Sequence, residues 1–578
     1  MAEVTVARYL FERIQQLGVK SVFGVPGDYE LALLDYIPEA GLKWRGNPNE
    51  LNAGYAADGY ARVNGVGAVV TTFGPGELSN LCGIAGAYTE FVPIVHIVGY
   101  PTEAAQNGNN IMHHSLGEVG DGKFDVYHKM SEHITCATTV LHNSQTAAAE
   151  IDRVLNAMMH FSQPCYIGVP VDITPKKISS ASLSTPLTTT LPPNPADLQA
   201  QVINEIYQKL RTASSPTIIV DGGATRNKFL VESENLVKAT GIPYFMTAMG
   251  KGAITESLPS FGGIYEGAGS VDGARIAVEA SDCILWLGNY PSDFNTGEFT
   301  EKFNKSAVID FQRFYIKIGQ YTRYQLSSKY VLSALTTHIE ANPLTHTSTI
   351  SWDPYPAPPA PLSLSEPLSQ DFLWATLGPY FKANDVIISE TGTSAYGIPA
   401  SSLQHLPNVT MFNQTVFGSI GYAAGASVGA FVASLENPLS PKPRRHILVT
   451  GEGSLQLTIQ AFSDLLRHNT NPQIFLLNNG GYTIERLIHG REAEYNTVPV
   501  WDYEGLFRAF GGGKGERVEY YRVGTKGELI ELLGRVGEGI EGSEKPRLVE
   551  LMLGVLDAPA SVVRASKAVE EFNTRGEK

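Results

Sequence analysis

Residues 446–485 read HILVTGEGSLQLTIQAFSDLLRHNTNPQIFLLNNGGYTIE, and the alternation inside this stretch decides the fold. Two short apolar runs, His446 to Thr450 and Ile474 to Leu477, flank a helical pattern from Leu455 to Arg467 with Leu455, Ile459, Phe462 and Leu466 on one face. Strand, glycine turn, helix and strand in that order make a right-handed βαβ unit. The turn is Gly451-Glu452-Gly453-Ser454, and a helix starting just after Ser454 would offer free N–H groups and a positive dipole end to a phosphate. The third glycine of a dinucleotide fingerprint is missing, because Ser454-Leu455-Gln456 follow Gly453, and no GxxxxGK[ST] occurs here. Asn478 and Asn479 end the second strand, in the carboxyl-end crevice where open α/β sheets bind ligands, and Gly480-Gly481 follow them. A carboxylate at Glu452, an amide oxygen at Asn479 and a free backbone carbonyl are hard ligands suited to Mg²⁺. The same residues taken alone also read as a solvated turn carboxylate and two strand-stopping amides.

The pattern repeats along the chain. Ala68 to Thr72, Ile94 to Gly99, Thr217 to Val220 and Ile284 to Leu287 are short, β-branched and continuously apolar, as strands buried on both faces must be, and helical patterns separate them. Ser180 to Asp197 and Pro343 to Gln370 are too rich in breakers to be central strands or helix interiors. They leave blocks of about 1 to 180, 195 to 345 and 365 to 578, read as three open parallel-sheet α/β domains.

Composition narrows the function. The 578 residues carry 43 Lys plus Arg against 58 Asp plus Glu, a net charge of −15, which argues against nucleic acid; the densest basic cluster, Pro441 to His446, reads as a turn. With 43% hydrophobic residues and 17% charged, against roughly 25% charged in an ordinary chain, disorder is excluded and large buried subunit contacts are expected. Cys82, Cys136, Cys165 and Cys283 form no CxxC pair, so neither a disulfide framework nor a thiolate zinc site is implied, and a reducing cytoplasmic setting is expected. No stretch approaches the length of a membrane span, Val4 to Val19 reads as an amphipathic helix rather than a signal peptide, and residues 573–578 carry no targeting signal.

GEGS, with residues 454–477 between Gly453 and the Asn478-Asn479 pair, is similar to the thiamin diphosphate motif GDG…NN, and GYTIERLIHG at Gly481 to Gly490 resembles the pyruvate decarboxylase branch of that family, in its fungal form. The likeness runs through the chain in order: FGVPGD at Phe23 to Asp28, GNPNELNAGYAADGYARVNG at Gly46 to Gly65, TTFGPGELS at Thr71 to Ser79, HHSLG at His113 to Gly117, MGKG at Met249 to Gly252, SDFNTG at Ser292 to Gly297, TGTSAYGI at Thr391 to Ile398 and GSIGY at Gly418 to Tyr422. It implies a pyrimidine-binding domain over 1 to 180, a middle domain over 195 to 345 and a diphosphate- and Mg²⁺-binding domain over 365 to 578.

The resemblance also implies a reaction: non-oxidative decarboxylation of pyruvate to acetaldehyde and CO₂ through a thiamin diphosphate ylide and an enamine, as in alcoholic fermentation. Glu50 would exchange a proton with the cofactor's pyrimidine ring, a role that calls for a raised pKa and a poorly hydrated setting. Ala53, Gly54, Ala56, Ala57 and Gly59 on the same helix are small enough for close packing. Ile420 would be the apolar wedge that folds the cofactor, Gly418 would give its carbonyl to the amino group, and Ser419 and Thr393 would line the pyrimidine pocket. Gly453, Ser454, Asn479, Gly480, Gly481, Tyr482, Thr483 and Ile484 would surround the diphosphate, with Glu452, Asn479 and Gly481 as metal ligands. Asp28, His113, His114 and Glu485 match the acid/base set. Read singly, Asp28 is equally a helix N-cap, His113-His114 a loop pair, Glu485 a surface residue and Glu50 a carboxylate favoured by the helix dipole.

Such sites form between two chains, so a homodimer or a homotetramer is expected, with no nucleic acid and no membrane as partner. Two departures stand out: Glu452 replaces the family's aspartate, and Asp221-Gly222-Gly223-Ala224 carries no cysteine where substrate activation has been placed, with Phe91 at its partner histidine. An indolepyruvate or phenylpyruvate decarboxylase is the nearest rival, although Phe294, Tyr396, Ile484 and Ile488 should narrow the pocket toward a methyl group. HHSLG is foreign to acetolactate-type synthases, the missing glycine counts against a Rossmann dehydrogenase, and a non-catalytic assembly protein of the same fold is the reading from another class.

Overall fold

A computed structural model describes residues 3–108, 110–345, 350–355, 357, 360–439, 443–511, 518–539, 545–564 and 567. Pro441 and Lys442 of the basic turn, parts of the proline-rich stretch and the carboxyl-terminal residues 573–578 lie outside them. The chain packs as two compact units, one of Met1–Leu191, Phe417–Arg444 and Thr458–Thr470, the other of Pro192–Val416, Arg445–Leu457 and Asn471–Lys578.

The first unit is built on a six-stranded, wholly parallel sheet in the order Lys43–Gly46, Ser21–Gly24, Gly67–Thr72, Ile94–Tyr100, Cys165–Pro170, Thr138–Val140. Its central strands are buried along nearly their whole length, only Thr72 being half-buried, which explains their apolar sequences. Helix Glu50–Asn64 starts at Asn49, whose side chain accepts the Asn52 N–H, and stops at Gly65. Its small residues lie against helix Tyr422–Glu436, which is buried from Tyr422 to Ser434. The approach is close enough that a Cβ on Gly59 would come within 1.9 Å of the Ala426 carbonyl oxygen, and one on Gly429 within 1.7 Å of that of Ala56. The expected close packing of this helix is therefore present. Beside it, fully buried Arg62 pairs with Asp58 at 2.5 Å and Glu90 at 2.9 Å, and Tyr422 donates a hydrogen bond to Asp58.

The second unit holds two sheets. The six-stranded sheet, in the order Thr410–Phe412, Val386–Ser389, His446–Gly451, Gln473–Asn478, Arg547–Met552, Glu519–Val523, is parallel throughout. The seven-stranded sheet is parallel through five strands and carries an antiparallel edge. Phe261–Ile264, Tyr244–Met246, Pro216–Val220, Cys283–Leu287 and Val308–Phe311 run parallel, but Ile316–Ile318 and Thr322–Tyr324 add an antiparallel edge. Their connections, Gln312–Tyr315 and Gly319–Tyr321, are far too short for the crossover that a parallel return requires.

The strands named from sequence lie within a residue or so of those observed. The helix after the glycine turn does not: it begins at Glu452 rather than after Ser454, runs to Thr458, and resumes at Ala461–Arg467. An acidic first residue suits a helix N-terminus. The break is a tight turn in which Phe462 and Ser463 donate to Ile459 and Gln460, while the Thr458 hydroxyl leaves the helix to bond the Gly421 carbonyl at 2.7 Å. Among the described residues no helix is long and apolar enough to cross a membrane, and all four cysteines are free thiols.

Candidate active site

In the first unit, Asp28 follows strand Ser21–Gly24 and His113 lies in the segment after helix Glu103–Asn107. Their side chains meet, His113 Nε2 lying 2.8 Å from Asp28 Oδ2, while both stay more than half exposed in the single chain. Asp28 is not a helix cap, since the next helix, Leu31–Leu34, has no side-chain cap. The Tyr29 ring stacks on His113 with centroids 4.7 Å apart, and its hydroxyl lies 3.2 Å from His113 Nδ1. His114 stands edge-on to His113 at 4.6 Å, and donor atoms of Asp28, His113 and His114 lie within 4.8 Å of one another.

His114 sits at φ 71°, and two contacts hold it in this costly conformation. Its carbonyl accepts the Tyr127 hydroxyl at 2.9 Å, and its backbone rests on Gly74, where any Cβ would come within 2.8 Å of the His114 Cβ. Gly74 in turn donates its N–H to Glu77 at 2.9 Å, and Glu77 accepts the Tyr166 hydroxyl at 2.8 Å. Burial pushes the Glu77 carboxyl up to about 7, against the opposing effect of those two bonds. Tyr29, Tyr127 and Glu77 were not among the sequence candidates. Tyr29 adjoins Asp28, but the other two reach the site only through the fold.

Glu50 opens the helix Glu50–Asn64, and its carboxylate lies beside Gly76, 3.3 Å from where a Cβ would stand. In the single chain it is half-buried, less enclosed than the expected role requires. Gly418, Ser419 and Ile420 lead into helix Tyr422–Glu436. The Ser419 hydroxyl is 2.5 Å from that of Tyr55, and Ile420 keeps 37% of its surface exposed, unusual for an isoleucine beside a buried helix.

In the second unit, adjacent strands His446–Gly451 and Gln473–Asn478 bring their carboxyl ends together. Glu452 is 3% exposed and folds toward the asparagine loop: one of its oxygens accepts N–H groups of Gly481 at 2.7 Å and Asn479 at 3.3 Å. Burial raises its pKa, and the amides partly offset this. Gly481, at φ 140°, presses on the Asn496 carbonyl oxygen so closely that a Cβ would lie 2.1 Å from it. Thr483 donates to the Val555 carbonyl at 2.9 Å, and Tyr482 covers Gly453. Ser454 and Thr393 are buried, Gly480 is exposed beside Val555, and Ile484 and Glu485 lie on helix Thr483–Ile488 with Glu485 exposed. Phe294 and Tyr396 face each other with ring centroids 5.3 Å apart.

The donor set fits a magnesium ion. The Asn479 side-chain amide donates to Glu452 Oε1 at 3.1 Å and to the Gly481 carbonyl oxygen at 2.7 Å, and its own oxygen accepts the Thr483 hydroxyl at 2.7 Å. Turning this amide would set its oxygen beside the Glu452 carboxylate and the Gly481 carbonyl, three hard oxygen ligands of the kind Mg²⁺ takes. The extra methylene of glutamate is taken up by the fold of its side chain onto the loop amides. At the segment lacking the cysteine, a Cβ on Gly222 would come within 2.3 Å of Met249 Cγ, and one on Gly223 within 2.1 Å of the Gly288 carbonyl oxygen, so the packing leaves no room for a side chain.

Residues 4–126, 203–330 and 392–550 match, in turn, the N-terminal TPP binding, central and C-terminal TPP binding domains of the thiamine pyrophosphate enzymes. The chain is 40% identical over 584 residues to the pyruvate decarboxylase of Kluyveromyces marxianus, with 100% of each chain covered. It is 42% identical over 574 residues to that of Aspergillus terreus, covering 99% of this chain and 98% of the relative, and 40% identical over 582 residues to pyruvate decarboxylase isozyme 1 of Saccharomyces cerevisiae, covering 100% of each. The chain belongs to the thiamine pyrophosphate enzymes, in the family of the pyruvate decarboxylases.

Proposed function

We propose that this chain decarboxylates pyruvate to acetaldehyde and CO₂ with thiamin diphosphate and Mg²⁺. The observation that carries the reading is the meeting of the Glu452 carboxylate, the Asn479 side-chain amide and the Gly481 carbonyl at the carboxyl ends of two adjacent parallel strands. When bound, the cofactor supplies an electron sink that accepts the pair left by the departing carboxylate. Glu452, Asn479 and Gly481 would hold the metal, with Gly453, Ser454, Gly480, Tyr482, Thr483 and Ile484 around the diphosphate. Thr393, Gly418, Ser419 and Ile420 would receive the pyrimidine, and Glu50 would exchange the proton on its ring nitrogen. Asp28, His113, His114 and Glu485 would hold the proton that replaces CO₂ on the substrate carbon and take up the one released with the aldehyde.

The Phe294 and Tyr396 rings support a small substituent on the 2-oxo acid and so favour pyruvate over phenylpyruvate or indolepyruvate. A division into domains at about 1 to 180, 195 to 345 and 365 to 578 belongs to this reading. So do a homodimer or homotetramer and a cytoplasmic setting. Exposed apolar side chains beside site residues in each unit, such as Leu31 and Ile111 in one and Ile488 in the other, support self-association that would cover them.

The test is acetaldehyde release from pyruvate, coupled to NADH oxidation by alcohol dehydrogenase, after dialysis against a chelator. Turnover should vanish on dialysis and return only when thiamin diphosphate and Mg²⁺ are both restored; turnover without them, or none with them, overturns the proposal. Tyr127→Phe removes the hydroxyl that holds the His114 carbonyl, a bond of about 1 kcal/mol, and should lower kcat about fivefold with little change in melting temperature. An unchanged kcat would show that His114 needs no such support.

A further inference from the structure

Two residues beyond Asp28 lies a carboxyl that the mechanism above leaves unused. Glu30 is 0% exposed, and neither of its carboxyl oxygens makes a hydrogen bond of ordinary geometry. Buried carboxylates in that condition are rare, because an ionised group without partners is expensive in a low dielectric. The wall around it leaves no room to turn away: a Cβ on Gly99 would come within 2.6 Å of the Glu30 Cβ, and Glu30 N–H is tied to the Gly27 carbonyl at 3.2 Å. The nearest polar side chain is Thr72, whose hydroxyl is also without a partner and which packs against Gly27.

The charged and titratable surroundings are few. The segment before Glu30 brings Asp28 and Tyr29, through which His113 and, behind it, His114 are reached. Strand Gly67–Thr72 and helix Leu31–Leu34 bring no titratable side chain. On strand Ile94–Tyr100 it is Gly99 that abuts Glu30, so His96 and Tyr100 point to the opposite face, where they bond Thr71 and Tyr166. Glu77, on helix Pro75–Thr89, is held by Gly74 and Tyr166.

We propose that Glu30 is a third carboxyl of the acid/base group, a positioning residue that acts through Asp28: held as the neutral acid, it leaves the Asp28–His113 pair with a single negative charge. The inference rests on the decarboxylase reading. Burial pushes the Glu30 carboxyl up to about 7, with Thr72 and the Gly27 and Glu30 amides opposing and Asp28 adding to the rise. An ionised Glu30 would stand as a like charge to the Asp28 carboxylate two residues away. It also puts a second negative charge behind the place where an anionic 2-oxo acid must bind.

Glu30→Gln keeps the shape of the neutral acid and cannot ionise. The ratio of kcat/KM for pyruvate, variant over wild type, should be near one at about pH 6 and rise about threefold to tenfold by about pH 8, as expected when one like charge appears near the site of an anionic substrate. A ratio that is flat or falls with pH overturns the proposal while leaving the decarboxylase reading intact; a wild type without turnover at any pH overturns that reading instead. Stability gives a second readout. A carboxyl whose pKa is raised on folding contributes stability at low pH that is lost as pH rises toward its folded value. The melting temperature of the variant should therefore gain on the wild type between about pH 5 and pH 7.5 and then run parallel. No gain would mean that Glu30 is not held neutral, and the proposal falls. If Glu30→Gln does not fold, Glu30→Met, which also removes the unpartnered carboxyl at similar length, carries the same two expectations.

Discussion

Glu50→Gln is expected to lower kcat for pyruvate by about 10²- to 10³-fold, within the range that general acid/base catalysis supplies. The substitution keeps the first turn of helix Glu50–Asn64, its Asn49 cap and the shape that rests against Gly76, and it removes the ability to give and take a proton. Cofactor retention should change far less, because Glu452, Asn479 and Gly481 are untouched. The check is kcat beside the thiamin diphosphate content after gel filtration. A fall of less than tenfold, or loss of cofactor in step with activity, would remove Glu50 from the proton-transfer role. The half-burial of Glu50 in the single chain makes this the more informative test, since the role requires an enclosure that the isolated chain does not supply.

Gly429→Ala should be the most damaging single-methyl change to the first unit. The added Cβ would lie 1.7 Å from the Ala56 carbonyl oxygen and 2.8 Å from the Tyr60 nitrogen, backbone atoms of the facing helix that no rotamer change can move. The helices must separate, opening a core of small residues packed from Tyr422 to Ser434, and the cost should be at least about 3 kcal/mol. The same shift displaces Glu50, so activity and melting temperature should fall together. Gly241→Ala is the control: at φ +61° with nothing within 4 Å of the new Cβ, it should cost about 1 kcal/mol and leave activity alone. A Gly429→Ala protein that melts with the wild type would mean that the two helices are less tightly docked than described.

Much of this was legible in the sequence, for identifiable reasons. The strands at Ile94–Tyr100 and Gln473–Asn478 are buried on both faces, so their apolar runs announced them within a residue. The small residues of Glu50–Asn64 announced a close contact without naming its partner. The start of the helix at Glu452 was misplaced, because a glycine turn gives no local signal for the first helical residue. The antiparallel edge at Ile316–Tyr324 was missed because strands this short are not distinguished from loops by periodicity.

The sequence by itself determined the parallel-sheet architecture, the family and the residue types available for cofactor, metal and proton transfer, because each depends on local pattern or on short motifs in fixed order. Only the tertiary structure decided which atoms meet. It set His113 on Asp28 across a separation of 85 residues, and it folded the longer Glu452 side chain onto the amides of a loop on the neighbouring strand. It also enclosed the Glu30 carboxyl without a hydrogen bond of ordinary geometry. Burial and desolvation are properties of everything that surrounds a group, and a linear sequence does not contain its surroundings.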